Sequence, residues 1–177
     1  MIFVIVGFIL LIIIFIYIIF NDKLSLISIK LKNIEEKLNS TLIKRKSLIE
    51  DSEKIIKEIL KTDKNIYQGI GEINDPSINM IELDRKLLVY INEFYLVKDK
   101  YKKLNSSEEF LSVAYAINDT EDLLNAYKEY YNEVAENYNK LIGIFPMNVI
   151  SFINRRKKKE FFDRKSISDN DYSEFKY

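Results

Sequence analysis

The chain has neither histidine nor cysteine, so the commonest general base, the commonest transition-metal ligand and the most reactive nucleophile are all missing. The remaining polar groups that could do chemistry fall into a few patterns. Asn118, Asn125, Asn132 and Asn139 recur every seven residues, which puts four amides in line along one helix. Such a line can fix register across a helix pair or simply form a solvated flank, and the abundance of Asn weighs toward the flank. Tyr127, Tyr131 and Tyr138 lie beside it, where each ring can be buried while its hydroxyl reaches a polar edge. Core packing outweighs a ligand site there. The one dense charge run, Arg155, Arg156, Lys157, Lys158 and Lys159, stands between Phe152-Ile153 and Phe161-Phe162. Basic residues beside aromatics suit an anionic membrane surface, and a solvated stretch is the alternative.

Other patterns carry less. Gly69-Ile70-Gly71 lacks the third glycine and the preceding strand of a nucleotide fingerprint. The acids of the C-terminal tail lack the glycine and closing glutamate of a calcium loop. We therefore expect no catalytic, cofactor-binding or metal-binding residues. Lys+Arg and Asp+Glu number 27 each, so no net field draws the chain to nucleic acid, and no nucleic-acid partner is expected.

The elements that position these groups read as helices. Ile2 to Phe20 contain no charge and reach roughly 28 Å as a helix, about one hydrocarbon thickness. With no basic n-region and no small-residue cleavage site, this stretch is expected to remain as a transmembrane anchor over 1–22, with the lipid bilayer as partner of residues 2–20. Lys23, Lys30, Lys32 and Lys37 follow it and nothing basic precedes it, which favours a cytoplasmic soluble part in a single-pass protein of the cell membrane.

Beyond the anchor, apolar residues recur in steps of three and four. Leu24, Ile27, Leu31, Ile34 and Leu38, then Leu42, Ile49 and Ile56 after a stutter, predict a helix to about Leu60. Gly69, Gly71 and Asp75-Pro76 mark a turn region over 61–77, with Asp75 as cap and Pro76 as first helical residue. A second helix is expected from about Ser77 to Leu104 on Met80, Leu83, Leu87, Ile91, Phe94, Val97, Tyr101 and Leu104. Ser106 and Glu109 have the spacing of a capping box for a third, whose stripe runs from Phe110 through Val113, Ile117, Thr120, Leu124, Tyr127, Tyr131, Val134, Tyr138 and Leu141 to Phe145. Pro146 stops it. The fold expected is all-α: an N-terminal transmembrane helix, an antiparallel bundle of three long helices over 23–146, and a basic amphipathic segment with a disordered tail over 147–177. If the helices run out, back and out again, the proline end lies far from the anchor.

Thr120-Glu121, Tyr131-Asn132 and Tyr138-Asn139 seven apart, Phe145-Pro146 and Phe161-Phe162 together resemble the LemA family. Leu42, Arg45, Leu48, Ile49, Tyr101 and Phe110 fit it more loosely. Two positions depart: Glu50 stands where the family usually has proline, and Lys128 where it commonly has arginine. The resemblance implies a bacterial-type single-pass membrane protein with a helical soluble domain and no established catalytic activity. The function expected is a non-enzymatic membrane-anchored scaffold that binds a protein partner or itself through the helical body. The alternative is a membrane-surface or membrane-bridging module using 147–162.

Overall fold

The computed structural model describes residues 1–163, and among them the regular structure is helical, without strand. Four α-helices follow one another: α1 Ile2–Leu60, α2 Met80–Lys100, α3 Glu108–Gly143 and α4 Met147–Ile153. Short 3-10 turns, Ile70–Asn74 and Lys102–Ser106, flank α2. The all-α class is therefore confirmed. The apolar run and the first bundle helix are one element, because no proline or glycine interrupts the chain between Phe8 and Leu60. Residues 164–177, most of the expected disordered tail, lie outside the described residues.

Packing divides the described residues into two compact units, one of Met1–Glu35 with Tyr130–Phe162, the other of Glu36–Glu129 with Asp163. In the second unit, Leu38, Leu42, Ile49 and Ile56 of α1 are buried as their spacing demands. α1 ends where Lys61 takes a left-handed conformation (φ 53). The Thr62 amide then donates to the Lys57 carbonyl (3.1 Å) and the Lys61 amide to the Glu58 carbonyl (3.3 Å), the double bond pattern of a Schellman stop. From there the connection runs back along α1. Asn65 accepts from Lys57 at 3.1 Å, the Ile66 amide donates to Glu53 at 3.1 Å, and the buried Tyr67 hydroxyl meets Ser52 at 2.7 Å.

That return sets the direction of α2. Its C-terminal side reaches the end of α1, where Lys103 donates to the Ile59 carbonyl (3.0 Å). α2 therefore runs parallel to α1, and the expected out-and-back order is corrected: the 61–79 connection makes the return and α2 does not. α3, after its tight link, is antiparallel to α2, pairing Lys128 with Asp84 and Asn118 with Tyr95. Phe94 and Phe110 stack at 5.1 Å across the link, a contact worth about 1 kcal/mol beyond burial.

Local starts differ from expectation by a residue or more. Asn79 caps α2 by accepting from the Glu82 amide (2.9 Å), while Asp75 accepts instead from the amide and hydroxyl of Ser77 within the turn. Ser107, not Ser106, caps α3, accepting from the Phe110 amide at 3.3 Å. With Phe110 three residues on, the reciprocal glutamate of a capping box has no place. Tyr101 is 38% exposed, since the chain leaves α-geometry there for the 3-10 turn.

In the first unit, Leu24, Leu31 and Ile34 of α1 pack with Tyr131, Val134, Tyr138 and Ile142 of α3, and Met147, Ile150 and Phe162 complete the core. α3 ends at Gly143, before Phe145-Pro146, and Phe145 is 78% exposed rather than on the buried stripe. α4 closes as α1 does. Arg155 is left-handed (φ 50), and the Arg156 amide donates to the Ser151 carbonyl at 2.8 Å. The turn brings Asn154 and Arg156 onto Asn21, one residue past the apolar run. The proline end of α3 is thus beside the exit of that run, which corrects the expectation that it lies far away.

The run itself is the one described helix long and apolar enough to cross a membrane, and its most apolar 18-residue window is wholly unburied.

Candidate functional site

Two polar seams line α3, and they satisfy their groups in different ways. In the second unit the seam is ionic. Arg45 is fully buried, its Nε donating to Thr120 Oγ1 (3.1 Å) and its Nη2 pairing with Glu121. The Thr120 hydroxyl in turn donates to the Ile117 carbonyl (2.7 Å), and Asn125 donates to the other oxygen of Glu121 (3.1 Å). Lys128 Nζ lies 3.0 and 3.3 Å from the two oxygens of Asp84, with both side chains buried. Two cations thus face two anions. Burial pushes the Asp84 carboxyl above its ordinary range and Glu121 adds to the rise, against the opposing pull of Lys128 and Arg45.

In the first unit the seam is neutral. Asn132 donates to the Phe162 carbonyl and accepts from the Phe162 amide, both at 2.9 Å. Asn139 does the same to Lys159, at 2.8 and 2.7 Å. Each carboxamide uses its NH2 as donor and its oxygen as acceptor, so it pairs with a backbone residue as a strand neighbour would. Seven helical residues rise about 10.5 Å, and three extended residues span about 10 Å. The spacing of the asparagines therefore matches that of Lys159 and Phe162. Around this clamp, Lys159 pairs with Glu35 (2.9 Å), and the Phe162 ring meets Tyr131 edge-on at 5.2 Å. Burial, then Glu35 and Glu160, push the Tyr131 hydroxyl up to about 12.

Three of the four asparagines of the sequence pattern reach other segments while Asn125 bonds within α3, and the solvated-flank reading is corrected at Asn132 and Asn139. Asn118 meets the Tyr95 hydroxyl, Asn125 supports Glu121, and Asn132 and Asn139 hold the chain beyond α4. Of the tyrosines, Tyr131 and Tyr138 are core, while Tyr127 is half-buried with Lys37 above its ring at 5.9 Å. The basic run divides. Lys159 is taken up by Glu35, and Arg156 reaches Ser28 (3.0 Å), Asn21 (3.3 Å) and Ser25 (3.4 Å). Arg155, Lys157 and Lys158 are exposed.

Sequence reasoning missed Asp84 and Lys128 as a buried pair, and it took Arg45 only as a match. The signal was present. Leu42, Ile49 and Ile56 skip the step-of-three positions, and Arg45 and Ser52 fill them as buried polar residues. Among the described residues, no group of three or more acidic side chains could hold a metal ion.

The model of the LemA family matches residues 34–173. No curated protein and no solved structure matches the chain.

Proposed function

The chain belongs to the LemA family, and from that membership and the geometry above we propose that it is a non-enzymatic scaffold, anchored in a membrane by residues 2–20. The observation that carries this reading is the wholly unburied apolar window of α1, continuous with a helix that packs a bundle. In water so large an apolar surface would drive aggregation, whereas a hydrocarbon layer covers it at no cost to the bundle. The buried charges support the non-enzymatic part. Arg45 pairs with Glu121 and Lys128 with Asp84, leaving only Arg45 Nη1 of these groups buried without a partner, the arrangement of a structural network rather than of groups held ready for a substrate. Exposed side chains such as Leu96 and Tyr115 are where a protein partner or a second copy docks. The lysines after the run favour a cytoplasmic body by the positive-inside tendency.

Site-specific photo-crosslinking from positions 96 and 115 of the full chain in intact membranes tests the reading. Discrete adducts of fixed mass, with another protein or with a second copy, are expected. Adducts spread without preference over the proteome contradict it.

A further inference from the structure

α4 is apolar on both sides. Met147 and Ile150 face the core, while Val149 (48% exposed), Phe152 (86%) and Ile153 (62%) face outward. Phe145, just before it, is 78% exposed. A seven-residue helix with an apolar outer face is out of place in water. Two further observations say what covers it. Asn154 and Arg156 both hydrogen-bond Asn21 at 3.3 Å, and Asn21 is the first polar residue after the apolar run. If that run spans a bilayer, Asn21 sits at the headgroups and α4 is tied to the same depth. Directly after α4 come the exposed Arg155, Lys157 and Lys158, which take part in none of the ion pairs of the described residues. Their charge complements anionic phosphate.

We propose that α4 lies in the interface of the leaflet through which α1 leaves. Phe145, Phe152 and Ile153 enter the acyl–headgroup boundary, and Arg155, Lys157 and Lys158 contact anionic lipid headgroups. The inference rests on the spanning role of residues 2–20 and adds a second, charge-dependent attachment in the same membrane. The Asn132 and Asn139 clamp fixes Lys159 and Phe162 to α3, and the Lys159–Glu35 pair ties the same segment to α1, which holds the basic turn in place. The segment thereby acts on its own bilayer rather than on a facing one.

The absence of cysteine makes single-site labelling direct. The full chain carrying Val149→Cys, Ile12→Cys or Tyr115→Cys, each with a polarity-sensitive fluorophore, is reconstituted into phosphatidylcholine vesicles with or without phosphatidylglycerol. Nitroxide-labelled lipid is placed either in the protein's own vesicles or in added protein-free ones. The label at 149 is expected to be quenched by lipid of its own bilayer, more strongly with phosphatidylglycerol, while the label at 115 stays in water. R155Q/K157Q/K158Q should lower the inserted-to-free ratio in anionic vesicles, by roughly fivefold per charge removed. These three side chains are exposed, so the fold is kept, and unchanged circular dichroism verifies it. A label at 149 in water while that at 12 is quenched overturns the proposal and leaves the span standing. Quenching only by the added vesicles, or indifference to phosphatidylglycerol, overturns it as well. A label at 12 in water removes the span and the proposal together.

Discussion

Along α3 the stretch 120–128 meets its neighbours through charges, and the stretch 132–139 through amides. Where the partners are helices whose own backbone bonds are complete, only side chains are available, and Arg45 and Asp84 are answered by Glu121 and Lys128. Where the partner is an extended segment, its amides and carbonyls need mates, and Asn132 and Asn139 supply them. The same heptad spacing thus serves two purposes, and which one is dictated by whether the facing backbone is already satisfied. The ionic seam gains register at the risk of an orphaned charge. The amide seam holds a segment that has no regular structure of its own.

The largest effect should come from halving an ion pair. Lys128→Met or Asp84→Leu alone is expected to cost about 3–5 kcal/mol, because each strands a buried charge. The double variant should recover most of that loss in urea unfolding of the full chain in detergent micelles. If the double variant is as damaged as the singles, the charges are not what defines this seam. Asn132→Ala comes next, at about 2 kcal/mol, since it leaves the Phe162 amide and carbonyl buried without partners. It should also open the 154–162 segment to limited proteolysis. Asn139, being half-buried, should cost less when changed to Ala, and equal losses would break the burial argument.

Alkaline pH sharpens the contrast. The Tyr131 hydroxyl, raised to about 12, keeps its proton more firmly in the folded chain than in the unfolded one. Its contribution is whole below pH 10 and is lost as pH rises through 12. The expected loss is about 1–2 kcal/mol. Tyr131→Phe should flatten the fall of the urea midpoint over that window, and an unaltered slope would refute the assignment. The smallest effect is Lys61→Gly, which relieves a left-handed side-chain conformation and should raise stability by about 1 kcal/mol at most.

How much of this was legible follows from which contacts are periodic. Leu24, Leu31, Ile34, Leu38, Leu42, Ile49 and Ile56 are buried as the spacing of α1 predicts, because one stripe of a helix suffices to state its packing face. The apolar run and the all-α class were equally plain. Helix direction was not. It depends on Asn65, Ile66 and Tyr67 retracing α1, and hydrophobic period says nothing about where an irregular connection goes. Arg155 and Lys61 as left-handed stops were hidden for a similar reason, since neither is the glycine that marks such a position. The asparagine heptad was visible as a pattern. The partners of Asn132 and Asn139, the backbones of Phe162 and Lys159, carry no sequence signature, because any residue offers an amide and a carbonyl.

Carbonate extraction of membranes bearing the full chain, beside the same chain without residues 2–20, tests the proposed anchoring most directly. The full chain should stay in the pellet and the shortened one should enter the supernatant with its helical circular dichroism intact. Release of the full chain by carbonate would contradict the role assigned to the apolar run.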